Sequence, residues 1–240
     1  MLIKKDKLHI QSFRRALPAI IGAGFFFAFD LWVWHRSIIY IGAGIATLLA
    51  NTQVFYLVAI GWLLFGEKPK WYFYPAMLLA LVGLSIVSMP FLDFQGINNN
   101  FLGVLFGLLT GISYAIVTLC MKKATRVYQG KGPWPIFAIT IIAAAFSLIA
   151  AAFENQLSMP GPADWALMIL YGAGVHFMGW FLITHAISFI PLSLTSLLLL
   201  LQPIFATVFG ALIYAEPLGV LQIVGLVAAL SGVYLSSLAR

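Results

Sequence analysis

Eight apolar runs fill most of this 240-residue chain, each near the roughly 20 residues an α-helix needs to cross a bilayer core. They lie near 16–36, 40–64, 71–89, 101–120, 134–153, 165–188, 192–214 and 218–238. Backbone N–H and C=O groups in lipid must be satisfied within the protein, so only helices and closed barrels span membranes. A barrel would alternate polar and apolar residues in strands of about ten, and that alternation is missing. The expected class is all-α: a polytopic membrane helix bundle of about eight transmembrane helices. Composition agrees, with 62% hydrophobic and 8% charged residues, far from a soluble domain.

The breaks between runs hold most of the turn-forming residues and charges: "GEKPK" (66–70), "MPFLDFQGINNN" (89–100), "KKATRVYQGKGP" (122–133) and "ENQLSMPGPAD" (154–164). None is long enough for a soluble domain. The opening "MLIKKDKLHIQSFRR" leads into a run too long for a signal peptide and without a cleavage site. The single cysteine, Cys120, excludes an intramolecular disulfide and reads as a small packed hydrophobe.

Basic residues set the expected orientation, since they stay on the cytoplasmic side. With the N-terminus inside, twelve of the thirteen basic residues fall in cytoplasmic segments, only Arg36 falling outside. The acidic Asp93, Glu154, Asp164 and Glu216 fall on the outer side. Both termini are therefore expected in the cytoplasm. The net charge of +6 reflects this topology and contact with the anionic headgroups of the lipid bilayer; no nucleic acid partner is needed to explain it.

The chain also repeats itself. Residues 47–88 laid on 196–237 give ten identities in 42, including Gln53/Gln202, Gly61/Gly210, Glu67/Glu216, Ala80/Ala229 and Gly83/Gly232. Gln and Glu are expensive inside lipid, so these matches weigh more than the leucines. With an offset one residue longer, "GAGFFFAFDLWVWH" (22–35) lies over "GAGVHFMGWFLITH" (172–185). Glu67 falls at the cytoplasmic end of its span and Glu216 at the outer end, so the copies cross the membrane in opposite senses. Inverted repeats of this kind characterise secondary transporters, because they supply two near-equivalent states open to opposite sides.

A helix, a short turn after "GE", and one further Gly-containing span, as in "LLFGEKPKWYFYPAMLLALVGL" and "LIYAEPLGVLQIVGLVAALSGV", resemble the EamA repeat of the drug/metabolite transporter superfamily. The resemblance implies inverted-topology EamA repeats and a permease moving a small organic solute or metabolite, outward, across the inner (plasma) membrane. It divides the chain into a basic cytoplasmic segment (1–15), a partial first repeat of three spans (16–89), an outer loop (90–100) and a complete second repeat of five spans (101–238). Ala215 departs from the "GE" pair. Two spans missing from the first copy, about 50 residues, are expected before Met1, by truncation or a misplaced start; otherwise a second copy of the chain, as in a homodimer, closes the cavity.

Asp30, near the middle of the first span in "FAFDLWVW", is the sharpest polar candidate. A charge at that depth costs roughly 2.5–3.5 kcal/mol on insertion scales and needs a partner, a cavity or water. Asp30 is read as a substrate- or proton-coupling residue, with a structural ion pair as the alternative. Trp34, one turn on, shares its face and suits a cationic or amphipathic solute, but also an interface anchor. Gln53 is preferred to Asn51, which points some 200° away. Its repeat mate Gln202 precedes Pro203, which frees a backbone carbonyl able to line a site; helix-to-helix glue is the alternative for both. Tyr114 and His176 are further solute-binding candidates, each weighed against plain packing. Glu67, Glu216, Gly61, Gly210 and Pro203 are expected to be structural. No metal is expected, since His176 and His185 are half a helical turn out of phase, and no cofactor motif is present. The signatures of a zinc protease, a serine hydrolase and a P-loop are absent, which argues against an enzyme; a non-transporting or auxiliary membrane protein remains the rival.

Overall fold

The computed structural model describes residues 2–89, 101–128, 133–155, 157–214 and 217–238, with the side chains of 2–10, Val175 and Tyr214 outside that description. Among the described residues every regular element is helical: α1 (Leu2–Ala50), α2 (Gln53–Phe65), α3 (Phe73–Ser88), α4 (Phe101–Val127), α5 (Trp134–Phe153), α6 (Pro162–Leu170), a π-helical stretch (Tyr171–Met178), α7 (Gly179–Ile187), α8 (Leu192–Leu199), α9 (Leu201–Tyr214) and α10 (Val220–Ser237). Glu216 and the 90–100 segment lie outside the described residues. The protein is an all-helical membrane bundle. Large apolar side chains face outward, among them Phe153 (84% exposed) and Val220 (80%), while Ser37, Thr118, Thr195 and Ser196 are buried. Apolar side chains turned outward, with hydroxyls among the buried residues, suit a protein whose solvent is lipid.

Six helical stretches of the described residues are long and apolar enough to cross a membrane: Gln11–Phe65, Phe101–Val127, Trp134–Phe153, Pro162–Ile187, Leu192–Ile213 and Val220–Ser237, with Phe73–Ser88 a shorter apolar helix. The first of these holds two of the eight apolar runs. Gly42 separates them, with φ 78° and ψ 157° inside α1. Contacts with α4 show the chain turning back there. Ser37 lies beside Gly107 and Tyr40 beside Gly103, whereas Ile41, Leu49 and Thr52 lie beside Gly103, Gly107 and Gly111 in the opposite order along α4. A reversal this tight needs a backbone conformation essentially confined to glycine. The basic opening segment is helical, α1 starting at Leu2.

The chain forms two compact units, Met1–Trp32 with Ile116–Ile190 and Val33–Ala115 with Pro191–Arg240, so α1 and α4 contribute to both. Each unit takes part of each sequence copy. In the first unit Ala16, Ile20, Ala23 and Phe27 of α1 pack with Val117, Met121 and Ala124 of α4, Ile136, Ile139 and Ala143 of α5, and Ile187 of α7. Gly24 lets α5 close in, since a Cβ there would stand 2.6 Å from Ile142 Cγ2.

In the second unit α3 and α10 form an extensive helix pair. Their backbones touch. A Cβ on Gly83 would fall 2.6 Å from Gly225 O and closer to Ala229 N; one on Gly232 would fall 2.6 Å from Ala76 O and closer to Ala80 N. Gly83 and Gly232, Ala80 and Ala229, and Ala76 and Gly225 are repeat mates, so the two helices cross antiparallel about a local two-fold axis. Small residues permit this approach, and in lipid such packing takes the place of the hydrophobic drive.

Gly83→Val and Gly232→Val are each expected to destabilise the purified protein, and to similar degrees because the sites are equivalent; thermal unfolding in detergent is the readout. Gly42→Ala is expected to cost about 1–3 kcal/mol from backbone strain although nothing lies within 4 Å of its Cβ position. Gly179→Ala, equally uncrowded but without the unusual φ, is expected to be neutral or better.

Candidate functional site

Both copies break their helix immediately before or beside the paired glutamine. Between α1 and α2, Thr52 N–H bonds Leu49 O (3.0 Å), Val54 N–H bonds Asn51 O (3.2 Å) and Phe55 N–H bonds Thr52 O (3.0 Å). These closures span three residues instead of four, so the carbonyls of Leu48 and Ala50 lose their α-helical donors. The Asn51 amide turns back to Thr47 O (2.8 Å) and the Thr52 hydroxyl to Leu49 O (2.6 Å). Between α8 and α9 the same tightening occurs, Leu200 N–H bonding Leu197 O at 3.1 Å. There Pro203, in the first turn of α9, supplies no N–H, which leaves Leu199 O without its helical donor. One break is thus held open by proline and the other by side chains that compete for the backbone.

Gln53 opens α2 and is 2% exposed, and its Oε1 has no hydrogen-bond partner among the described residues. Its mate Gln202 is exposed and accepts a bond from the Tyr114 hydroxyl at 3.3 Å. All three belong to the second unit. Asp30 belongs to the first, on α1, 7% exposed, with Oδ1 lacking a partner among the described residues. A buried carboxylate oxygen without a donor is costly unless a ligand, water or proton satisfies it. His176, half-buried in the π-helical stretch, sets its ring edge-on to Phe27 at 5.3 Å. Trp34, half-buried in the second unit, lies edge-on to His35 at 5.2 Å. The structure therefore brings Tyr114 and Gln202 together and places Gln53 at the equivalent break, while Asp30 and His176 belong to the other unit.

Glu67 lies just beyond α2, yet its carboxylate serves a distant helix. Leu192 N–H donates to Oε1 (2.7 Å), and Ser193 N–H (2.9 Å) and Ser193 hydroxyl (2.8 Å) donate to Oε2. These are free N–H groups at the start of α8, where an anion is favoured by both hydrogen bonding and the helix dipole. Gly61 makes room, since a Cβ there would lie 2.6 Å from Glu67 Oε2. Gly210, its mate, is half-buried in α9.

Two cations do the reciprocal work at a helix C-terminus and were not marked by the sequence reasoning. Lys122, 1% exposed, donates from Nζ to Ile190 O, and Arg126 donates from Nε to Ser188 O at 3.1 Å. Both carbonyls end α7, where positive charge is favoured. The missed signal is the length of α4: the apolar run stops near 120, but nothing breaks the helix before Val127, so the lysine and arginine lie on a helix, not in a loop.

The model of the EamA-like transporter family matches residues 101–238, more than half of the chain. The chain belongs to the EamA-like transporter family. An uncharacterized transporter of Archaeoglobus fulgidus is 25% identical over 192 residues, covering 80% of this chain and 66% of that protein. An uncharacterized transporter of Clostridium kluyveri is 23% identical over 201 residues, covering 80% and 62%. This EamA-like chain thus spans less than two thirds of the length of either relative. A solved crystal structure shares the fold with a TM-score of 0.76 at 15% identity, covering 96% of this chain and 80% of its own.

Removing the cap on α8 gives a clean test of the Glu67 geometry. Glu67→Ala is expected to lower stability by about 1–2 kcal/mol and Ser193→Ala by less, with the double variant less destabilised than the sum. Strict additivity in thermal or denaturant unfolding would show that the two residues do not act together.

Proposed function

We propose that the protein is a secondary transporter, a permease that moves a small organic solute outward across the inner membrane with its termini in the cytoplasm. The observation that carries this reading is the pair of helix breaks at repeat-related positions, each beside a glutamine, within apolar spans. Broken helices at the corresponding positions of inverted repeats are the usual signature of a mid-membrane binding site, because freed carbonyls and polar side chains there take the place of water. Family membership and the relatives' names support transport as the activity. Interhelix bonds agree with the order of crossings, since each joins residues expected at the same face: Glu67 to Leu192, Tyr72 to Leu238, Lys122 to Ile190, Trp32 to Glu154 and Gln222 to Val87; the orientation itself rests on the charge rule.

Asp30, Trp34, Gln53, Tyr114, His176 and Gln202 are the residues proposed to meet the solute. The unsatisfied atoms among them, Asp30 Oδ1 and Gln53 Oε1, are both acceptors as placed, which favours a solute carrying N–H or O–H donors, cationic or amphipathic. Asp30 is the proposed coupling group, exchanging a proton for the solute.

Reconstituted into vesicles with an imposed proton gradient, the wild-type protein is expected to accumulate amine-bearing test solutes. Asp30→Asn is expected to abolish accumulation against the gradient while leaving insertion and the unfolding temperature nearly unchanged. Full coupled transport by that variant would remove Asp30 from the mechanism, and solute binding without any flux would mark the protein as non-transporting.

A further inference from the structure

A cleft of about 490 Å³ opens in the first unit where three membrane helices end together. Its walls come from the last turn of α4, the first turn of α5 and the last turns of α7, with Arg126, His185, Ser188, Phe181, Phe189 and Ile136 setting its character. No Asp or Glu is among its described lining residues. Arg126 spends only Nε on Ser188 O (3.1 Å), so the rest of its guanidinium fork is free of partners among the described residues. His185 stacks on Phe181 at 6.3 Å and meets Phe189 edge-on at 5.2 Å, and its exposed side chain lines the cleft.

More positive charge surrounds this end. Lys122 and Lys123 stand one turn earlier on α4. Phe13 packs edge-on against Tyr128 at 6.1 Å, which brings the α1 segment carrying Arg14 and Arg15 to the same level. Trp134, 56% exposed at the start of α5, marks the depth at which indole rings sit among lipid headgroups. One side of the cleft is therefore basic and able to donate hydrogen bonds, and the other is aromatic and aliphatic.

We propose that this cleft binds the phosphodiester headgroup of an anionic membrane phospholipid, with the first acyl methylenes lying along Phe181, Phe189 and Ile136. A guanidinium fork matches phosphate geometry, and basic pockets between membrane helices on the cytoplasmic side are suited to acidic headgroups. An inorganic phosphate shares the charge but not the apolar tail, so it would leave the second wall bare. Bound lipid would clamp the ends of α4, α5 and α7, and thus favour one arrangement of the first unit.

The test titrates the detergent-purified full chain with short-chain phosphatidylglycerol, phosphatidylcholine of the same chain length, or inorganic phosphate, following the unfolding midpoint. Phosphatidylglycerol is expected to raise it by roughly 5 °C, the other two by little. In Arg126→Gln and in His185→Gln the phosphatidylglycerol concentration giving half the shift should rise, about tenfold for the arginine. Each shift is measured from that variant's own lipid-free midpoint, so a variant that is merely less stable still reports on binding. Equal stabilisation by both lipids, reproduction of the full shift by phosphate alone, or an unchanged response in both variants would overturn the proposal.

Discussion

In the second unit the backbones of α3 and α10 meet directly, which is possible only because Gly83 and Gly232 carry no side chain where the helices cross. In lipid, helices gain little by hiding apolar surface from one another, so contact must come from van der Waals packing. Packing this tight fixes register. One residue of slip would drive Ile86, whose side chain already borders Gly225, into the opposing backbone. The register brings each repeat residue against its own mate's neighbourhood, which is what an antiparallel pair of equivalent helices requires. The two-fold relation of the copies is thus physically anchored at this crossing.

Elsewhere the structure follows from the need to satisfy helix ends without bulk water. Glu67 supplies an anion to the start of α8, and Lys122 and Arg126 supply cations to the end of α7. The two ends flank the short segment around Ile190–Pro191, so charge of opposite sign holds the chain as it leaves one helix and enters the next. Where no such group intervenes, at the breaks before Gln53 and Gln202, backbone carbonyls are left open and polar side chains cluster. Satisfied ends build the scaffold. Unsatisfied ones lie where the solute site is proposed.

The fold class was legible because the span length is imposed by the bilayer, and the opposite sense of the copies because Gln53, Glu67, Gly61 and Gly83 recur at one offset. Helix boundaries were not. The reversal at Gly42 carries no polar loop, only a glycine among apolar residues, and hydropathy cannot see a backbone torsion. The break at residues 51–52 escaped for a related reason: Pro203 announces its counterpart, but Asn51 and Thr52 act by hydrogen bonds that other conformations would also satisfy. That Glu67 lies near a helix end is readable from "FGEKP"; that its carboxylate reaches Leu192, 125 residues on, is not. Lys122 was hidden by charge itself, since a lysine after an apolar run is read as the start of a loop.

Inverted repeats require the two copies to traverse the membrane in opposite senses. Lys68 and Pro217 are repeat mates, each in the turn that leads toward α3 or α10. Lys68→Cys and Pro217→Cys, made separately in a Cys120→Ser background, can be labelled with a membrane-impermeant maleimide on intact cells and again after permeabilisation. With inverted copies and the N-terminus inside, Pro217→Cys is expected to label on intact cells and Lys68→Cys only once the membrane is opened. Labelling of both from the same side would contradict the inverted arrangement.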